Sequence, residues 1–98
     1  MTEAIKRAKR AGLPKCAKPY QNEAVRLLVK LCRELQKRAG DGPFYLSARI
    51  AGDAIGIPKT NAHGFLVMLL ADKVLSLVEP GTKTKAARYR YIGDDAGG

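Results

Sequence analysis

The stretch SARIAGDAIGIPKTNAHGFLVMLLAD, which begins at Ser47, places two short helical patterns on either side of a tight turn. Ser47 can cap the first helix, predicted over about residues 48–55, and Gly56 can end it. Pro58 suits the first turn of the second helix, predicted over about residues 59–72, because its missing N–H removes no hydrogen bond there. The stretch therefore predicts a pair of short helices joined by a tight turn, and the rest of the chain must pack around it.

A longer helix is predicted upstream, over about residues 22–39, with Asn22 as its cap and Gly40 after its end. Each of the three helices has apolar residues at helical spacing, which indicates a face turned toward a common core. These predicted inward residues are Ala24, Leu27, Leu28, Leu31, Cys32 and Leu35; Ile50, Ala51, Ala54 and Ile55; and Ala62, Phe65, Leu66, Leu69 and Leu70. A further short helix can run from Thr2 to Arg10.

Strand candidates lie on both sides of the helix pair. FYL at 44–46 predicts a short strand, and the segments KVLSLVE and ARYRYIG predict a hairpin with PGTKTKA as its loop. The order is then helix, short strand, helix, turn, helix and hairpin. Two short helices joined by three or four residues form a helix-turn-helix, and a hairpin after them corresponds to a wing.

From residue 22 to residue 92 the chain resembles a winged-helix domain. The stretch FYLSARIAGDAIGIPKTNAHGFLVMLLADKVLSLVEPGTKTKAARYRY is similar to winged helix-turn-helix modules of phage and plasmid replication and primase-like proteins. The resemblance implies a mainly helical α+β fold: a three-helix core with a short strand and a C-terminal two-stranded wing. We expect a basic N-terminal arm and linker at residues 1–21, the winged-helix domain at residues 22–93 and a disordered tail at residues 94–98.

Charge points to a polyanionic partner. The chain has 18 Lys and Arg residues against 9 Asp and Glu residues, a net charge of +9, and six of the basic residues lie within residues 1–19. Such an excess favours DNA, although a solvated surface that keeps a small protein soluble is the alternative. No apolar run approaches the length of a membrane span, so we expect no membrane partner and a cytoplasmic location, nucleoid-associated if the chain is bound to DNA.

The resemblance implies that the third helix lies in the major groove, where its first turns contact base edges and phosphates. The predicted contact residues there are Lys59, Thr60, Asn61 and His63. Members of the family commonly carry Arg or Lys near Gly64, Val67 and Met68, and this chain has none there. Val67 and Met68 are expected to be packed against the arm or the first helix. If they are exposed, these three residues could form a homodimer or a protein interface.

The wing and the arm are the stronger candidates for DNA contact. Lys83 and Lys85 are expected at the wing tip, and Arg88 and Arg90 on one face of the last strand. The arm residues Lys6, Arg7, Lys9 and Arg10 could follow a phosphate backbone, or could belong to a disordered solubilising tail. For Arg26, Lys30, Arg33 and Lys37 on the first long helix, an ordinary solvated face is the favoured interpretation.

Two further expectations concern individual residues. Lys73 replaces the glycine usual at this helix end, so a left-handed backbone there would carry mild strain. Tyr89 and Tyr91 could stack unpaired bases, but are expected in the core.

The sequence contains no set of residues that indicates catalysis. There is no Ser/His/Asp set, no glycine-rich phosphate loop and no pair of carboxylates in an evident cleft, so we expect neither an enzyme nor a small-molecule substrate. The spacing of Cys16, Cys32 and His63 predicts neither a metal site nor a cofactor. Cys32 is expected in the core and Cys16 as an exposed thiol.

The alternatives to duplex DNA binding are a protein-interaction domain and a single-strand or RNA binder.

Overall fold

Within residues 2–93, four α-helices and three strands follow one another in the order that the sequence predicts. The computed structural model describes residues 2–93, so the predicted disordered tail at residues 94–98 lies outside the described residues. The helices are Thr2–Arg10 (α1), Glu23–Ala39 (α2), Ala48–Ile55 (α3) and Lys59–Ala71 (α4), and the strands are Phe44–Leu46 (β1), Leu75–Glu79 (β2) and Ala87–Tyr91 (β3). A single 3-10 turn at Lys15–Ala17 connects α1 to α2.

Side-chain caps set the beginnings of two helices where the sequence predicts them. The Oδ1 atom of Asn22 accepts a hydrogen bond from the backbone N–H of Ala24 at 2.8 Å, at the start of α2. The Oγ atom of Ser47 accepts one from the N–H of Ile50 at 3.1 Å, at the start of α3. Each cap satisfies an N–H group that has no partner within its helix, so these boundaries depend on neighbouring residues alone.

The three strands form one antiparallel sheet in the order β1-β3-β2, with β3 in the centre. Phe44 lies opposite Tyr89, and both are buried on the face that turns toward the helices; Leu77 also lies opposite Tyr89 but is 45% exposed. Tyr45 lies opposite Arg88 on the other face and is 59% exposed. The sheet is therefore covered on one side only, as is common for antiparallel sheets. The predicted class, mainly helical α+β, is confirmed.

The N-terminal segment belongs to the same core as the rest of the chain. The side chains of Ala4 and Ala8 are buried where α1 packs on α2, and Ala17, whose turn also contacts α2, belongs to the same buried cluster. Small side chains on this face let the two helices lie close together. The predicted boundary between residues 21 and 22 therefore separates two segments that share buried contacts, and the segment is not the disordered tail considered above.

The inward face of α3 differs from the prediction. Ile50, which we expected in the core, is 40% exposed, while Ala51 and Gly52 are buried. A Cβ atom added at Gly52 would lie 2.7 Å from the carbonyl oxygen of Ile57, so the tight turn approaches α3 at this position. This contact sets the rotation of α3 about its axis and turns Ile50 toward solvent.

The turn after α4 contains the left-handed residue considered above, since Lys73 has a φ angle of 61°. The N–H of Val74 donates to the carbonyl oxygen of Leu69 at 2.9 Å, which closes the end of the helix. A side chain at this backbone conformation carries a steric cost that glycine would not.

Within residues 2–93, no helix is both long enough and apolar enough to cross a bilayer.

Candidate nucleic-acid interface

The first two turns of α4 present the predicted contact residues to solvent. Burial of Ala62, Leu66 and Leu69 fixes which side of the helix faces the core. The remaining side is open, and its exposed residues include Lys59, Thr60, Asn61 and His63. Their exposure agrees with the positions expected for contacts to a ligand, and it follows from the helical spacing.

The loop between β2 and β3, residues 80–86, is held in a compact turn. Its backbone is closed by the N–H of Thr82, which donates to the carbonyl oxygen of Lys85 at 2.9 Å. The Oγ1 atom of Thr82 accepts hydrogen bonds from the N–H groups of Thr84 at 3.3 Å and Lys85 at 3.1 Å. The two loop lysines, Lys83 and Lys85, are therefore carried by an internally bonded turn and not by an unsupported strand end.

This loop lies beside the start of α3. A groove of about 360 Å³ separates them, with Arg49 and Ile50 on the helix side and Lys83 and Lys85 on the loop side. The sequence analysis did not identify Arg49 as a contact residue. Its place two residues after the Ser47 cap was the one available signal, since the N-terminal turn of a helix favours anions.

A second groove, of about 250 Å³, adjoins the first and brings α4 into the same surface. Its lining includes His63 of α4, Ser47 and Ala48 at the start of α3, and Lys85 of the loop. Ser47 and Lys85 line both grooves. We call the two together the basic groove. It unites His63, Lys83 and Lys85, which the sequence predicted separately, with Arg49.

The charged side chains that line the basic groove are all positive. Of the described residues that line it, three are cations (Arg49, Lys83 and Lys85) and none is acidic. Its floor is partly apolar, with Leu46 and Leu66 among the lining residues. A surface of this kind attracts phosphate groups. Its two sides are α3 and the loop at residues 80–86, each of which is held by its own hydrogen bonds.

The predicted contact residues of β3 lie elsewhere. The guanidinium of Arg88 donates to Oε2 of Glu79 through Nε at 2.9 Å and Nη2 at 2.5 Å, and its central carbon is 5.6 Å from the ring centroid of Tyr45. The hydrogen bonds to Glu79 raise the pKa of Arg88. Arg90 lines a separate depression with Gln36 and Asp41. Neither arginine lines the basic groove, and the charge of Arg88 is largely balanced by Glu79.

The basic residues of the N-terminal segment project from α1. Lys6, Arg7, Lys9 and Arg10 are exposed, and the Nε atom of Arg7 lies 4.0 Å from a carboxylate oxygen of Glu3. None of the four lines the basic groove. Their contact with DNA stays a prediction, and the helix displays these charges on a folded surface.

The outer face of α4 is only partly covered. Val67 is 51% exposed, whereas Met68 is half-buried and packs against the core. The expectation that both are packed against other elements is therefore wrong for Val67. Gly64, between His63 and Val67, is also exposed. The reason is that α4 carries apolar residues on both of its sides, while one side alone meets α3 and the sheet.

Other candidate residues have structural contacts. Cys16 is half-buried, with its Sγ atom 3.1 Å from the hydroxyl oxygen of Tyr91, so the expectation of an exposed thiol is wrong. Cys32 is buried as predicted, and burial raises the pKa of its thiol to about 12. Tyr89 and Tyr91 are each 8% exposed, which leaves their rings unable to stack on bases. Within residues 2–93, no cluster of His, Cys, Asp or Glu side chains has the composition of a metal site.

The linker before α2 is anchored by residues that sequence reasoning did not assign to it. The Nη2 atom of Arg26 donates to the carbonyl oxygen of Lys18 at 3.3 Å, and its Nε donates to the carbonyl oxygen of Tyr20. The hydroxyl of Tyr20 donates to the carboxylate of Asp72, just after α4. Desolvation and this contact raise the pKa of Tyr20. Arg26 is therefore a structural residue and not part of a freely solvated cationic face.

Comparison with known proteins finds no matching protein family, no matching curated protein and no matching solved structure. The winged-helix resemblance rests on the element order and the motifs quoted above.

Proposed function

We propose that this protein is a winged-helix domain that binds double-stranded DNA through the basic groove and the first turns of α4. The observation that carries the proposal is the common surface formed by Arg49, His63, Lys83 and Lys85, with no acidic residue among its described lining. In this assignment residues 80–86 are the tip of the wing and α4 is the helix that enters the major groove. An accessory role in mobile-element replication or regulation follows from the resemblance.

Binding through this surface is dominated by phosphate contacts. Side chains that form ionic contacts with phosphates release counterions, so the affinity falls as the salt concentration rises. The positive charge sits on the wing and on α3, while the outer face of α4 between Thr60 and Ala71 has no arginine. Sequence preference is consequently modest, because arginine is the side chain that reads guanine most strongly.

Fluorescence anisotropy with a labelled duplex, from roughly 50 mM to roughly 200 mM salt, tests the proposal. The same titration with a single strand of DNA and with RNA separates the alternative ligands. We expect the duplex to be bound most tightly, with a linear dependence of log Kd on log salt. Lack of duplex binding at the lowest salt, or an affinity indifferent to salt, would contradict DNA binding.

A matched pair of variants locates the contact. Lys85→Ala removes one charge from the basic groove. Lys30→Ala removes one charge from α2, a helix that contributes no residue to the lining of the groove. We expect Lys85→Ala to lower the magnitude of the salt slope by about 0.9, the value for one lost phosphate contact. Lys30→Ala should leave the slope unchanged. Equal effects of the two variants would remove the basic groove from the interface.

A second candidate function is dimerisation or protein interaction through the outer face of α4, which the 51% exposure of Val67 favours. Size-exclusion chromatography with light scattering tests it. A stable dimer that Val67→Glu converts to a monomer, with DNA binding unchanged, would support this candidate over the first. A monomeric wild-type protein would contradict a homodimer, and binding to a different protein would need its own test.

A further inference from the structure

Gly52 lies inside α3 and Gly64 lies inside α4, and the structure explains only one of these two glycines. A Cβ atom at Gly52 would lie 2.7 Å from the carbonyl oxygen of Ile57, so the fold requires glycine there. A Cβ atom at Gly64 would have no neighbour within 4 Å. Glycine in a helix interior is less stable than alanine. Packing within the chain therefore gives no reason for Gly64, and its position on the exposed face indicates close approach by something outside the chain.

The residues around Gly64 define what that face can contact. Thr60 precedes it by four residues and Val67 follows it by three, so all three lie on one side of α4. Thr60 and Val67 are thus separated by about 10 Å along the helix axis, at a rise of about 1.5 Å per residue. Both are exposed and both carry methyl groups. None of these three residues has a charged side chain.

The major groove offers one apolar group for such a face. Guanine, adenine and cytosine present hydrogen-bonding atoms there, and thymine presents its C5-methyl group beside an acceptor oxygen. We infer that Thr60 and Val67 contact thymine methyl groups, and that Gly64 lets the base edges approach α4 closely. The inference rests on the proposed function and adds to it a base preference, for thymine over cytosine at the positions that face these two side chains.

Charge complementarity favours DNA over a second copy of the chain at this face. Lys59 stands at the first turn of α4, and the basic groove with Arg49 and Lys85 adjoins the same helix. Two copies packed through α4 would bring these cations toward one another, which disfavours association. Duplex phosphates on either side of the major groove carry the opposite charge. The duplex is therefore the occupant that suits both the apolar face and its surroundings.

Paired duplexes that differ only in a methyl group test the inference. The first pair is an A·T-rich duplex of about 20 base pairs and the same duplex with deoxyuridine in place of thymidine. The second pair is a G·C-rich duplex and the same duplex with 5-methylcytosine. We expect the methylated member of each pair to bind more tightly, by roughly fourfold for each methyl group that is contacted.

Three variants assign the effect to α4. Val67→Ala should reduce the difference between the thymine and deoxyuridine duplexes. Val78→Ala, which shortens an exposed valine of β2, is the matched control and should retain the full difference. Gly64→Ala should raise the melting temperature, because it replaces a helical glycine in open space, and yet weaken binding to every duplex.

The outcomes separate this inference from the proposed function. If the wild-type protein binds thymine and deoxyuridine duplexes equally, with a normal salt slope, methyl reading is overturned while DNA binding stands. If it binds none of the duplexes at low salt, both are overturned. If Gly64→Ala binds as tightly as the wild type, Gly64 does not provide clearance for the bases, and the close-approach step is overturned.

Discussion

The side-chain oxygen Oε1 of Gln36 accepts a hydrogen bond from the backbone N–H of Tyr91 at 2.8 Å. The Nε2 atom of the same side chain donates to the carbonyl oxygens of Gly40 at 2.8 Å and Gly42 at 2.7 Å. One amide group thus joins the last turns of α2, the loop that leads to β1 and the end of the central strand β3. It satisfies backbone groups that the sheet and the helix leave without partners.

Replacing Gln36 with alanine should lower the free energy of unfolding by about 1–3 kcal/mol, because three backbone groups lose their partner at once. Urea unfolding followed by circular dichroism measures the change. Gln21→Ala is the matched control, since Gln21 is exposed, and it should change stability by less than about 0.5 kcal/mol. Similar stability of the two variants would show that water replaces the Gln36 contacts without cost.

Lys73→Gly should stabilise the protein by about 0.5–1 kcal/mol, because glycine adopts the left-handed conformation without the steric cost of a side chain. The gain is smaller than the steric cost alone, since glycine also increases the entropy of the unfolded chain. Lys73→Ala keeps a Cβ atom at the same φ angle and should bring no such gain. Thermal unfolding of the two variants gives the comparison, and equal melting temperatures would exclude strain at this turn.

Stability should fall at alkaline pH through Cys32. Burial raises the pKa of this thiol from 9.0 to about 12, so above about pH 9 the unfolded chain loses a proton that the folded protein keeps. The contribution to stability is complete below the unfolded-state value and is lost as the pH rises toward the folded-state value. Between these two pKa values, the free energy of unfolding falls by up to about 1.4 kcal/mol per pH unit.

Urea unfolding between about pH 8 and about pH 10 measures this dependence. Cys32→Ala lacks the titrating thiol and should show a flatter profile, although its stability at neutral pH is lower because the methyl group leaves space in the core. Cys16→Ala is the control that retains Cys32 and should keep the wild-type profile. A fall of equal steepness in the Cys32 variant would assign the alkaline loss to other groups.

Arg88→Ala should leave the salt slope of DNA binding unchanged, because the guanidinium is already bonded to Glu79 and lies outside the basic groove. Lys85→Ala, which removes the same charge from the groove, should lower the slope by about 0.9. The same anisotropy titration measures both variants. A larger effect of Arg88→Ala would extend the interface onto the outer face of the sheet.

Much of the fold could be predicted from the sequence because its signals are local. Asn22 and Ser47 bond to N–H groups two and three residues away, and these bonds set where α2 and α3 begin. The prediction for Ile50 was wrong because the rotation of α3 is set by contact with the carbonyl of Ile57, which apolar spacing does not report. Gln36 was missed because one of its partners, Tyr91, lies 55 residues away.

Part of the candidate site could likewise be predicted from the sequence, and part could not. The exposure of Lys59, Thr60 and His63 follows from the helical spacing of α4, and the lysines of the loop between β2 and β3 were predicted as a charged tip. The separation of Arg88 from those lysines could not be predicted, because the alternation along β3 places its arginines on one face without showing that Glu79 is opposite Arg88. Its partner depends on the register of the hairpin.

The sequence by itself determined the order and the ends of the elements, because caps, turns and apolar spacing act between residues close together in the chain. The tertiary structure alone decided which charges share a surface. Arg49 faces Lys83 and Lys85 because the loop between β2 and β3 folds back beside α3, which brings together residues more than 30 positions apart. Such proximity follows from how the sheet and helices pack, and no local pattern encodes it.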